Sequence, residues 1–214
     1  MGQGALTATP TPLTVGFDLD MTLIDSRPGI AATYRSVSAR TGVYIDVDAV
    51  VSRLGPPLAH ELANWFPPDR LDDAIALYRE FYPGDAITPT LPLPGAAEAL
   101  AAVRAAGGRV VVVTAKRAGL ARLHVDHLGL PVDVLVGDAW ADGKAVALRE
   151  HGASIYVGDH VADMGAARTA GVVGVGVTTG PCDAAALTAA GAAAVLPDLR
   201  AFPQWLETAR ISVG

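Results

Sequence analysis

Residues 15–23 read Val15-Gly16-Phe17-Asp18-Leu19-Asp20-Met21-Thr22-Leu23, a short apolar run that stops at two acids one residue apart. The run predicts a buried strand. On an extended backbone Asp18 and Asp20 share one side and Leu19 points away. Two like charges at a strand mouth repel, and they are tolerated when a cation sits between them or one carries a proton. A lone Asp-x-Asp pair is more often a solvated acidic loop. Its meaning therefore depends on what else in the chain converges on it.

Downstream of Leu93-Pro94-Gly95 the chain alternates between helical and strand patterns. Helices are expected at 96–106, 118–128, 143–151, 163–170 and 183–190, and strands at 109–114, 132–136, 154–157, 172–177 and 193–196. Apolar strands separated by helices of about three turns predict a parallel sheet covered on both faces. A last stretch, 199–209, reads as a surface helix. Residues 24–92 differ: helical patterns at 28–41, 46–54, 57–66 and 69–82, punctuated by Gly42, Gly55-Pro56-Pro57 and Pro67-Pro68, with no convincing strand. The expected fold is α/β. A Rossmann-like core of residues 13–25 and 92–214 would be interrupted by a four-helix cap at 26–91, with a disordered leader at 1–12.

Ligands of open parallel sheets bind beyond the carboxyl ends of the strands. The residues expected there are Asp18 and Asp20, then Thr114 and Lys116, then Asp159 and Asp163 of Gly158-Asp159-His160-Val161-Ala162-Asp163, with Lys144 at a helix start. Three or four carboxylates in one pocket call for compensation, and Mg²⁺ accepts a few carboxylates while keeping waters and substrate oxygens. Asp163 also reads as the N-cap of its helix. Asp142 reads as the N-cap before Lys144, which sets that cation in a first turn, against the helix dipole. Fourteen of the 16 basic residues are Arg and only two are Lys, at 116 and 144. That scarcity favours Lys144 facing an anion. Lys116, beside Arg117, reads equally as an exposed basic turn.

The ordered set Asp18-Leu19-Asp20-Met21-Thr22, Thr114, Lys144 and Gly158-Asp159-x-x-x-Asp163 resembles the four motifs of the haloacid dehalogenase superfamily. The helical insert resembles its small α-helical cap. Residues 17–26, 93–95, 158–163 and 166–171 resemble the phosphoglycolate phosphatase-like group. Departures are Ala115 where that group often has Asn, Ala145 where it often has Pro, and Met21 where Gly is familiar.

The resemblance implies a Mg²⁺-dependent phosphatase of a small phosphorylated metabolite. Asp18 would be the nucleophile, forming an aspartyl-phosphate, and Asp20 the acid and base. Thr114 and Lys144 would hold phosphoryl oxygens. Asp18, the Asp20 carbonyl and Asp159 would hold the metal, with Asp163 behind them. Dehalogenases of the superfamily need no acid at the second position, and a phosphonate-cleaving relative would need a cap lysine, which this chain lacks. A phosphosugar mutase using the same intermediate, and a non-catalytic regulator keeping the fold, are the alternatives. Substrate choice is expected from Arg53, Gly55, Pro56 and His60 around one cap loop, and from Tyr34 and Arg35, though each also reads as ordinary cap surface or packing. His124, His127 and His151 read as helix-surface residues.

A net charge of −6 argues against a nucleic-acid backbone as partner. No apolar run approaches the ~20 residues that cross a bilayer. Cys182 is the only cysteine, which fits a reducing cytosol. The expectation is a cytoplasmic monomer or homodimer with no membrane partner.

Overall fold

The computed structural model describes residues 13–211; the leader expected at 1–12 lies outside them. Six parallel strands form one sheet: β1 (Thr14–Phe17), β4 (Arg109–Val113), β5 (Val134–Val136), β6 (Ile155–Gly158), β7 (Val173–Val177) and β8 (Ala194–Leu196). Their spatial order is β5-β4-β1-β6-β7-β8, with β1 between β4 and β6. The chain first builds outward from β1 to β5 and then crosses back to start β6 on the other side. This reversal opens a crevice at the carboxyl ends of β1, β4 and β6.

Alternation along the strands splits the core into two layers. Val15, Phe17, Val110, Val112, Ile155, Val157, Val175 and Val177 face one side, packed with α5 (Ala96–Ala105), α6 (Ala118–His127) and α10 (Phe202–Ile211). Val111, Val113 and Tyr156 face the other, packed with α7 (Asp142–Glu150) and α8 (Val161–Ala170). On that side Gly16 packs closely: a Cβ there would lie 2.7 Å from the Leu148 side chain and 2.9 Å from the Tyr156 ring, and both buried groups would have to shift. A sixth helix of this part, α9 (Ala184–Ala189), joins β7 to β8.

The last segment departs from the sequence expectation. Leu199, Phe202 and Leu206 are all buried in the main core, and the Phe202 ring meets Phe17 edge-on at 5.4 Å. This is a core-covering helix, not a surface one.

Between β1 and β4 lie α1 (Arg27–Thr41), α2 (Val47–Ser52), α3 (Leu58–Leu62) and α4 (Pro68–Asp85). Pro28 opens α1, and Gly42 at φ 70° closes it with its N–H on the Ser38 carbonyl. Asp46 caps α2 through the Ala49 N–H at 3.0 Å. Pro83 does not end α4, which runs on to Asp85. These helices bury their own cluster, including Ile30, Tyr34, Val37, Val50, Leu62, Phe66, Tyr78 and Tyr82. A two-residue antiparallel ladder joins β2 (Ile24–Asp25) to β3 (Leu91–Pro92), one strand entering the helical segment and one leaving it. Sequence periodicity has nothing to register in elements that short.

Candidate active site

Asp18 follows β1 directly, and its N–H continues the ladder onto the Val157 carbonyl at 2.8 Å. Thr114 follows β4, and Asp159 follows β6. Three neighbouring strands thus deliver three polar side chains to one crevice, all buried. The chain then turns tightly through Leu19–Ile24, with Leu23 N–H on the Leu19 carbonyl and Met21 at φ 59°. That left-handed conformation favours Gly. It gives a physical reason for the Gly familiar at this position, and here a Met bears the strain.

The acids behave differently from one another. Carboxylate oxygens of Asp18, Asp159 and Asp163 lie within 4.8 Å of one another. Burial, with Asp163 and Asp20 nearby, pushes the Asp18 carboxyl up to about 7 although Lys144 pulls it down. Its Oδ1 lies 3.1 Å from Lys144 Nζ but outside hydrogen-bonding alignment, so this buried oxygen has no hydrogen-bond partner. Asp159 is raised well above the carboxylate range by burial, Asp163 and Asp18, and accepts from Thr22 Oγ1 at 2.9 Å. Asp20 is only half-buried, and its desolvation is outweighed by the charge and 2.5 Å hydrogen bond of Lys116, which hold it below the usual range.

Lys144 is 1 % exposed and donates to Asp163 Oδ1 at 2.7 Å. The carboxylates of Asp163 and Asp18 outweigh its burial and raise it well above the usual lysine range. The residue before α7 is Ala141, with no side-chain cap, and Asp142 is already inside the helix, so the capping expected of Asp142 is not made. Asp163 is likewise not an N-cap. His160 holds that position, and Asp163 closes a capping box by accepting the His160 N–H at 3.1 Å while its other oxygen takes Lys144. Capping and charge pairing share one carboxylate.

A cavity of about 280 Å³ opens over Asp18, Asp20 and Thr114, between the sheet edge and the helices of residues 27–85. Asp18, Asp20, Thr114 and Lys116 line its floor; Tyr34, Arg53, Gly55, Pro56, Tyr78 and Tyr82 line its other wall. His60 is exposed and, like exposed Arg35, is not in the lining. Arg53 reaches the cavity already paired, its Nη2 2.6 Å from Glu61 Oε1. Gly55 packs on the His160 ring. Trp140 also lines the cavity, tilted against His160 at 5.8 Å.

Residues to which the sequence assigns no role in the site complete it. A Cβ at Gly180 would collide with the Asp159 carboxylate, so the backbone there forms the wall behind that acid. Tyr156 Oη donates to the Val113 carbonyl at 2.8 Å and lies 3.3 Å from Asp163. His124 is fully buried, a correction to the surface role expected of it, and its Nε2 is 2.9 Å from Tyr82 Oη. The Tyr82 ring in turn carries Lys116 Nζ at 5.1 Å. A chain of contacts thus runs from half-buried Asp20 and Lys116 to buried Tyr82 and His124. Its signal in sequence was the placement of Leu120, Ala121, His124 and Val125 on one helical face.

Burial, then Lys116, lowers His124 to about 4. A histidine depressed when folded costs stability as pH falls from about 6.5 toward 4, where only the unfolded chain takes the proton readily. Thermal melts from pH 7 to 4.5 are expected to fall more steeply for the wild type than for His124→Gln, by a few degrees at pH 5. Equal slopes would remove His124 from the acid limb.

Buried carboxylates at the carboxyl ends of a parallel sheet, beside a buried lysine and under a cavity, make a site suited to chemistry at an anionic centre. The sequence profile of the haloacid dehalogenase-like hydrolases matches residues 15–177. The chain belongs to that family. A phosphoglycolate phosphatase from Rhodospirillum rubrum is 31 % identical over 220 residues, covering 91 % of each chain. One from Caulobacter vibrioides is 29 % identical over 188 residues, covering 78 % of this chain and 79 % of its own. A haloacid dehalogenase-like hydrolase structure from Streptococcus pneumoniae superposes with a TM-score of 0.80 at 24 % identity, over 93 % of this chain and 98 % of its own. Both of these curated relatives are phosphatases by name. Among the described residues no helix is long and apolar enough to cross a membrane.

Proposed function

We propose that the chain hydrolyses a small-metabolite phosphomonoester, of the phosphoglycolate kind, through an aspartyl-phosphate on Asp18, with Mg²⁺ as cofactor. The observation that carries this is Asp18 itself, with one buried oxygen free of hydrogen bonds above a cluster whose charge Lys144 alone does not balance. Hard carboxylate oxygens in this number suit Mg²⁺. The Asp18 and Asp159 carboxylates and the Asp20 carbonyl would hold it, with Asp163 steadied behind them by Lys144 and the His160 N–H. When bound, Mg²⁺ neutralises charge on the cluster and on the phosphoryl oxygens.

The steps belong to the side chains. An Asp18 oxygen attacks phosphorus as the bond to the leaving oxygen breaks, and Asp20 delivers a proton to that oxygen. Asp20 must reach this step protonated, so its bond to Lys116 opens as substrate enters. Asp20 then takes a proton from the water that attacks phosphorus, the bond to Asp18 breaks, and inorganic phosphate leaves. Thr114 and Lys144 hold the non-bridging oxygens. Residues 26–91 act as a cap over a core of 13–25 and 92–214, excluding bulk water while the ester reacts.

Inorganic phosphate release from 2-phosphoglycolate, sugar phosphates, nucleoside monophosphates and pyrophosphate tests the reading. Mg²⁺-dependent release from at least one ester, abolished by chelator, is expected. Phosphate retained in an isomer would indicate a mutase instead, and no turnover of any ester would sink the proposal. Gly180→Ala provides a second check, since the new methyl displaces the Asp159 carboxylate. The Mg²⁺ concentration for half-maximal activity is expected to rise about 10–100-fold, with kcat at saturating Mg²⁺ much less affected.

A further inference from the structure

Four cations line the cavity, Arg53, Arg79, Lys116 and Arg117, and four carboxylates, Asp18, Asp20, Glu61 and Asp138. Two cations are already committed: Arg53 to Glu61 through contacts of 2.6 and 3.2 Å, and Lys116 to Asp20 at 2.5 Å. The remaining carboxylates have their own compensation. Asp18 lies beside Lys144, and Asp138 accepts the Ala118 N–H at 3.2 Å. Arg79 and Arg117 make no ion pair or side-chain hydrogen bond among the described residues.

Their positions are complementary. Arg79 sits on α4, between buried Tyr78 and the Tyr82 whose ring carries Lys116; Arg117 directly follows Lys116, just before α6. One comes from the helical wall and the other from the sheet edge, and both line the same cavity as Asp18 and Asp20.

We infer that Arg79 and Arg117 determine specificity, selecting phosphate esters whose leaving group itself bears an anion such as a carboxylate. This rests on the phosphatase reading above. A phosphoryl group over Asp18 has Lys144, Thr114 and a bound cation to meet its charge. A second anion on the leaving group would enter a space where Arg53 is held by Glu61 and where Lys116, released as Asp20 takes its proton, stays beside that acid, so the guanidiniums of Arg79 and Arg117 are the ones without a partner of their own to pair with it. Guanidinium–carboxylate contacts are the strong, directional kind of charge-assisted hydrogen bond. A leaving group without charge would leave both arginines in water, neither helped nor harmed.

The test compares 2-phosphoglycolate with 2-hydroxyethyl phosphate, which replaces the carboxylate by an uncharged alcohol, and with p-nitrophenyl phosphate as a general probe. Wild-type enzyme with Mg²⁺ is expected to prefer 2-phosphoglycolate in kcat/KM. Arg79→Gln and Arg117→Gln should each raise KM for 2-phosphoglycolate about 10-fold, a loss several times larger than on 2-hydroxyethyl phosphate, with kcat changed far less. Arg79→Lys and Arg117→Lys should recover part of the loss. Equal losses on the two esters, or no preference in the wild type, overturn the inference and leave the phosphatase reading standing. Failure to release phosphate from all three esters overturns both. A variant that fails to fold loses p-nitrophenyl phosphate turnover in parallel, and its Lys counterpart then decides.

Discussion

Asp18→Asn is expected to lower Mg²⁺-dependent phosphate release on the order of 10³-fold or more, and at the same time to make the metal-free protein more stable at pH 8. The first effect follows because an amide cannot form the acyl phosphate. The second follows from the site's electrostatics. The Asp18 carboxyl rises from 3.8 to about 7 on folding, chiefly through burial. A folded state that binds its proton more tightly than the unfolded one loses stability as pH rises between those values, and the full cost stands above 7. That cost is on the order of 4 kcal/mol. Asn has the same shape and no charge, so the gain should be largest at pH 8 and vanish near pH 4. Melting curves of both proteins in chelator across that range measure it. A variant that keeps activity removes Asp18 as nucleophile, and one that is inactive yet no more stable removes the account of its strain.

Lys144→Met is expected to act in the opposite direction. Its ammonium lies 2.7 Å from Asp163 and 3.1 Å from Asp18, with 1 % of the side chain exposed. Removing one partner of a buried ion pair leaves uncompensated charge and costs about 3–5 kcal/mol. The variant should melt well below the wild type in chelator. Mg²⁺ should restore more stability to it than to the wild type, because the cation replaces a missing charge and no longer meets a repelling one. Phosphate release should stay low even when folding is restored, since no cation holds the phosphoryl oxygens at that position. Equal Mg²⁺ stabilisation of the two proteins would contradict this division of labour.

The residues that ended predicted strands were the ones most readable in sequence. Asp18, Thr114 and Asp159 follow runs such as Val110-Val111-Val112-Val113, whose strand character is unambiguous and whose carboxyl ends must meet if the strands are parallel neighbours. Lys144 was legible through scarcity. Thr22, Gly180 and Tyr156 were not, because their roles arise from contacts made across the sheet. The hydrogen bond from Thr22 to Asp159 spans 137 residues and the approach of Gly180 to that acid is a backbone event. Tyr82 and His124 are on separate helices that each look ordinary alone. The last segment packs inward because Leu199, Phe202 and Leu206 repeat at core-facing spacing, a short apolar pattern that a surface helix also shows.

The two-residue ladder at the root of the helical segment has a mechanical consequence. Ile24 pairs with Pro92 and Asp25 with Leu91, and Leu93 N–H adds a bond to the Leu23 carbonyl at 2.9 Å. Two independent tethers would let the helices wander over the sheet edge with many degrees of freedom. Yoked tethers would leave far fewer, favouring rotation about the ladder. Every opening would then carry Tyr78, Arg79 and Tyr82 along the same arc, and every closing would return them to the same register over Asp20. Precision at the chemistry would be set by four residues that never touch the substrate.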